Sequence, residues 1–63
     1  MCLGKAYVVG NGQEELILES VALVQIQGKK LLLSTLFGEE KEITANLREI
    51  DFENSRIILE RAA

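Results

Sequence analysis

Sixty-three residues with a net charge of −3, one cysteine and no histidine set narrow limits. A chain this short makes a single small domain, here residues 1–63, and buries only about 60% of the surface it exposes when unfolded, so a lone core is marginal. The missing histidine excludes Ser–His and Cys–His nucleophilic sets, the lack of any basic block beyond Lys29-Lys30 argues against a phosphate-binding face, and no apolar run approaches the ~20 residues of a membrane span.

Cys2–Val9 reads as the first strand, with Lys5, Tyr7 and Val9 on one face and Gly4, Ala6 and Val8 on the other. Gly10-Asn11-Gly12 tolerates positive φ and predicts a tight hairpin turn. Gln13–Leu18 resumes an apolar rhythm, Ser20 marks a bend or bulge, and Val21–Gln27 reads as a stronger strand. Gly28-Lys29 predicts a second turn, and Lys30–Leu36 returns with Leu31, Leu33 and Thr35 sharing a face. Phe37-Gly38-Glu39-Glu40 is the next connection, leading into a short strand, Lys41–Thr44, with Ile43 inward.

Ala45-Asn46-Leu47-Arg48 predicts one helical or 3₁₀ turn, too short to be stable alone. Glu49–Glu53 then alternates as a strand with Ile50 and Phe52 inward, Asn54-Ser55 turns, and Arg56–Glu60 closes the pattern before Arg61-Ala62-Ala63 frays. Phe37 joins Phe52 as an expected core residue. Roughly five to seven short strands separated by turn signals predict an all-β fold, a small SH3-like barrel or a strongly curled antiparallel sheet. Closure is favoured because it removes exposed edges, and an incomplete barrel would be finished by pairing between two chains.

Cys2 is the residue best equipped for chemistry. A single cysteine cannot form an internal disulfide, which leaves an intermolecular bridge, a passive thiol or a metal ligand. If Met1 is removed, the Cys2 amine and thiolate can chelate one ion; if it stays, deprotonated main-chain amides near the thiolate can serve. A two-fold dimer would bring two such patches together. Sulfur and nitrogen donors in a square-planar set suit Ni(II) or Cu(II), whereas zinc sites draw on Cys and His clusters this chain lacks. The acidic groups Glu14-Glu15 and Glu39-Glu40 with Glu42 read as solvated surface. Tyr7 is the one candidate for stacking a base, with no basic groove beside it. The free thiol and the absence of an export signal predict a reducing cytoplasm.

Met1-Cys2-Leu3-Gly4-Lys5, Thr35-Leu36-Phe37-Gly38-Glu39-Glu40 and the closing Ile50-Asp51-Phe52 through Ile57-Ile58-Leu59-Glu60 resemble the CooT family along essentially the whole chain. The resemblance implies an SH3-like domain that forms a homodimer. It implies a non-enzymatic, nickel-binding accessory protein or metallochaperone of carbon monoxide dehydrogenase maturation, with Cys2 from each chain on the Ni(II) ion. Relatives are also described as predicted RNA-binding proteins, so a small RNA-binding or protein-interaction module without a metal role is the alternative.

Overall fold

Alternating side chains need an inside to point to, and here the strands close on themselves to make one. The structure, a computed structural model, describes residues 3–61. Its strands are β1 (Gly4–Gly10), β2 (Gln13–Gln27), β3 (Lys30–Thr35), β4 (Glu40–Asp51) and β5 (Arg56–Arg61), hydrogen-bonded in the ring β1-β2-β3-β4-β5 as a closed barrel. Neighbours in sequence pair antiparallel, and β1 pairs with β5 in parallel from Lys5↔Arg56 to Val9↔Glu60. The expected all-β, SH3-like barrel is thus observed, with no helix among the described residues.

Two long strands make the barrel possible. β2 pairs with β1 through its first half and with β3 through its second, and Val21 faces both Gly4 and Thr35. The change of partner falls at Ser20, whose φ of 59° bends the strand as its position in the sequence predicts. Between Ala6↔Leu18 and Gly4↔Val21 the β2 side holds one residue more than the β1 side, a bulge that sharpens the turn between sheets. β4 does the same, pairing with β3 up to Thr44 and with β5 from Ala45 onward.

The helical turn expected at Ala45-Asn46-Leu47-Arg48 is therefore absent, and these residues are continuous strand. Ala45 is buried in the barrel and Leu47 packs against it, so tertiary burial overrides the helix propensity of so short a run. The irregularity that the sequence hinted at is a register shift at Arg48, between Leu47↔Leu59 and Glu49↔Ile58. Arg61, expected to fray, is the last residue of β5 and faces Ala45; Ala62 and Ala63 lie outside the described residues.

The core takes the inward positions of every strand. Ala6 and Val8 come from β1, Val21 from β2, Leu31 and Leu33 from β3, Ala45 from β4, and Ile57 and Leu59 from β5. Leu31, Leu33 and Thr35 share the inner face as their spacing predicts, and Ile43 packs at the edge of the cluster.

The two phenylalanines contradict the sequence expectation. Phe37 is 76% exposed and Phe52 81% exposed, and Ile50 is exposed as well. Each aromatic sits in a turn whose backbone is fixed by a polar neighbour. The buried Thr35 hydroxyl accepts from the N–H groups of Phe37 (3.2 Å) and Glu39 (3.0 Å), and Gly38 N–H donates to Thr35 O (3.2 Å). The turn thus has its internal partners without Phe37 entering the core. Phe37→Ser should accordingly shift the urea unfolding free energy by less than about 0.5 kcal/mol, as for other surface changes. A loss of several times that would return Phe37 to the core.

Candidate metal site at the N-terminus

Met1 and Cys2, including the one residue assigned to metal, lie outside the described residues. What the structure defines is the surface around Leu3 and Gly4, the first described residues. Lys5 N–H donates to Ser55 O at 2.9 Å, and Lys5 pairs with Arg56, so the chain is fixed to the start of β5 from its fifth residue on. Gly4 sits tightly against that strand. A Cβ there would lie 3.0 Å from Ile57 Cδ1 and 3.3 Å from Ile57 Cγ1, closer than the packed core accommodates without movement. Gly4 is a residue that periodicity did not single out; it lets the backbone of β1 approach β5 closely.

Leu3 opens onto a groove of about 290 Å³ between β2 and the turn joining β4 to β5. Its walls are mostly apolar, among them Leu3, Leu23, Ile50 and Phe52, with Asp51 and Arg56 as the charged contributors. The turn beside it is built on Asp51. Asp51 Oδ1 accepts from the N–H of Glu53 (3.0 Å) and of Asn54 (3.1 Å), and Oδ2 accepts from Asn54 Nδ2 (2.8 Å). The Asn54 side-chain amide, then the Asn54 and Glu53 N–H groups and the nearby Arg56 charge, hold this carboxyl below its ordinary value of 3.8.

A carboxyl depressed in the folded state stabilises the fold above its unfolded value, and that contribution is lost as pH falls through the folded one. The urea midpoint of the wild type should therefore fall more steeply below about pH 4 than that of Asp51→Asn, whose amide oxygen still accepts but does not titrate. Parallel pH profiles for the two proteins would show that the turn does not depend on the charge.

The remaining candidates do not assemble into a site. Among the described residues no group of His, Cys, Asp and Glu side chains converges as a metal cluster. Glu14, Glu15, Glu39, Glu40 and Glu42 are exposed, as expected. Glu14 pairs with Arg56, Glu15 with Arg61 (4.0 Å) and Glu42 with Lys30 (3.7 Å). Arg56 also lies over the Tyr7 ring, 4.8 Å from its centre, so one face of the candidate stacking residue is already covered.

The barrel and its N-terminal approach have close counterparts. A crystal structure of CooT from Carboxydothermus hydrogenoformans superposes with a TM-score of 0.90 at 35% identity, covering 98% of this chain and 100% of that one. An uncharacterized protein of Methanocaldococcus jannaschii is 33% identical over 60 residues, 95% of this chain and 98% of its own length. Residues 1–60 match the family described as CO dehydrogenase accessory protein CooT. A match of that extent takes in the cysteine, the glycine that seats the N-terminus and all of β1 to β4, and the chain belongs to the CooT family of CO dehydrogenase accessory proteins.

Proposed function

We propose that this protein is a non-enzymatic nickel carrier for CO dehydrogenase maturation, working as a homodimer in the cytoplasm. Cys2 of each chain supplies a thiolate, and main-chain nitrogen beside it supplies the remaining donors. The observation that carries this is the family match over residues 1–60, which includes the chain's one cysteine.

The chemistry agrees with the donor inventory. With no histidine in the sequence and no convergent acidic cluster among the described residues, a soft or borderline ion has the Cys2 thiolate as its natural ligand. Thiolate sulfur with amide or amine nitrogen favours the square-planar coordination of Ni(II). Half a site per chain makes two-fold symmetry the economical way to complete it. The RNA-binding alternative has no comparable support: net charge is −3, and one face of the Tyr7 ring is taken by Arg56.

Equilibrium titration of the reduced protein with Ni²⁺, followed by thiolate-to-nickel charge-transfer absorption, tests the proposal. Saturation is expected at one ion per two chains. Binding without a sulfur-to-metal band, or no binding at micromolar nickel, would refute it.

A further inference from the structure

β2 changes partner at its bend, so each half leaves one edge unpaired. The first half, Gln13–Glu19, pairs with β1, and no second strand faces it among the described residues. Alternate N–H and C=O groups of such a strand point away from its partner, so the edge offers free donors and acceptors. A groove of about 330 Å³ runs along it. The groove touches every residue from Leu16 to Ser20. Strand side chains alternate between faces, so a groove that meets all of them lies against the edge itself. Its other wall is the β3–β4 turn, with Phe37 and Glu39.

That wall is held in place. Thr35 N–H donates to Glu39 O at 2.8 Å, the Thr35 hydroxyl accepts from the Phe37 and Glu39 N–H groups, and Leu36 N–H donates to Ser20 O at 3.0 Å. The last bond ties the turn to β2 beside the groove. Phe37 is therefore an exposed aromatic side chain on a fixed backbone, the kind of residue that anchors protein contacts at low ordering cost.

Charge decides what fits. The groove's lining carries one carboxylate on each wall, Glu19 and Glu39, and no cation. The ion pairs among the described residues engage Glu14, Glu15 and Glu42 and neither of these two. A second copy of the same edge is disfavoured. Gln13–Glu19 holds Glu14, Glu15 and Glu19 and no lysine or arginine, so like charges would meet in self-pairing. The carboxylates guard the edge against itself and leave it open to a cationic strand. An accessory protein, moreover, acts through contact with another protein.

We propose that this groove docks an extended, lysine- or arginine-bearing segment of a partner protein, which adds to the Gln13–Glu19 edge as a further strand. Main-chain hydrogen bonds hold the segment, Phe37 packs against one of its apolar side chains, and Glu19 and Glu39 select its charge. The groove shares no lining residue with the one beside Leu3, so the proposal is independent of the nickel site.

Two-dimensional amide NMR of the metal-free, reduced, nitrogen-labelled full chain tests this. The probe is a capped peptide of alternating lysine and valine about six residues long, the length of a common strand; its glutamate–valine counterpart is the control. The lysine peptide is expected to shift the amides of Leu16–Ser20 and Phe37–Glu39 saturably, and the glutamate peptide to leave them in place. Phe37→Ser should weaken the binding by at least about tenfold, the scale of an interface anchor. Glu19→Gln with Glu39→Gln should weaken it and flatten its salt dependence. Leu23→Ser, an exposed apolar residue outside the groove, should bind as wild type does. The same spectra show whether each variant is folded. No shift in the groove at millimolar peptide, or an equal response to the glutamate peptide, overturns the proposal. Shifts spread over the acidic surface and unchanged in Phe37→Ser would mean charge attraction alone and also overturn it. Groove amides that move with protein concentration in the absence of peptide would give the edge to a second copy instead. The nickel proposal stands in each of these cases.

Discussion

Replacing Cys2 with serine is expected to lower Ni²⁺ affinity by more than about 100-fold, while the melting temperature of the metal-free protein stays unchanged. Changes to groups that merely orient a ligand cost about 10–100-fold in metal affinity, and removing the ligand itself should cost more. In a symmetric site one substitution removes both thiolates. Serine keeps the size and the nearby main-chain nitrogens but offers a hydroxyl that does not ionise near neutral pH. The fold should not notice, because the closed ring and its core are complete within residues 3–61. The check is the same titration that tests the parent, run beside a thermal melt. Unchanged affinity would remove Cys2 from the site, and a large drop in melting temperature would assign it a structural role instead. Because thiolate ligation displaces a proton, wild-type affinity should also rise with pH.

Leu33→Ala is expected to cost about 3 kcal/mol of folding stability, within the 2–5 kcal/mol seen for large-to-small changes in cores. Leu33 is 0% exposed, on the inner face of β3, in a cluster fed by all five strands. A single core of this size supplies roughly 3–5 kcal/mol in total. The variant should therefore keep at most about 2 kcal/mol and be partly unfolded in dilute solution, visible as a weakened strand circular dichroism signal and a urea transition displaced toward zero denaturant. Nickel and high protein concentration should partly restore it, since both act on the folded dimer. The contrast with Phe37→Ser, a larger side chain with almost no expected effect, is what the exposure pattern predicts. A loss under 1 kcal/mol for Leu33→Ala would mean that the barrel interior is not the chief source of stability.

These two residues also mark what could be read from sequence and what could not. Strict alternation placed Leu31, Leu33 and Thr35 together, because the side-chain period of a strand is fixed by backbone geometry. Gly10-Asn11-Gly12 and Gly28-Lys29 placed two hairpins, because their backbones favour tight turns; Asn11, Gly12 and Gly28 do adopt positive φ. Local chemistry was sufficient in both cases. Phe37 and Phe52 were misplaced because hydrophobicity predicts transfer from water, while turn geometry decides which way a particular side chain faces. The Thr35 hydroxyl and the Asp51 carboxylate each satisfy their own turn and leave the aromatic outside. Ala45–Arg48 was misjudged because a four-residue window cannot reveal that β5 lies alongside it.

The parallel β1–β5 pairing that closes the barrel joins opposite ends of the chain, and no local signal encodes it. The same limit applied to the candidate site. Cys2 could be identified from composition, and the family resemblance assigned it nickel. The tight seat of Gly4 against Ile57 and the apolar groove at Leu3 appear only when β2, β5 and the β4–β5 turn are brought together. The exposed Phe52, an error as a core assignment, is one of the apolar walls of that groove.

Native mass spectrometry of the reduced protein after nickel loading tests the central claim most directly, because it reports chain number, bound metal and the fate of Met1 in one spectrum. The expected species is a dimer carrying one Ni(II), absent from Cys2→Ser. A nickel-bound monomer, or a dimer whose nickel survives loss of Cys2, would contradict it.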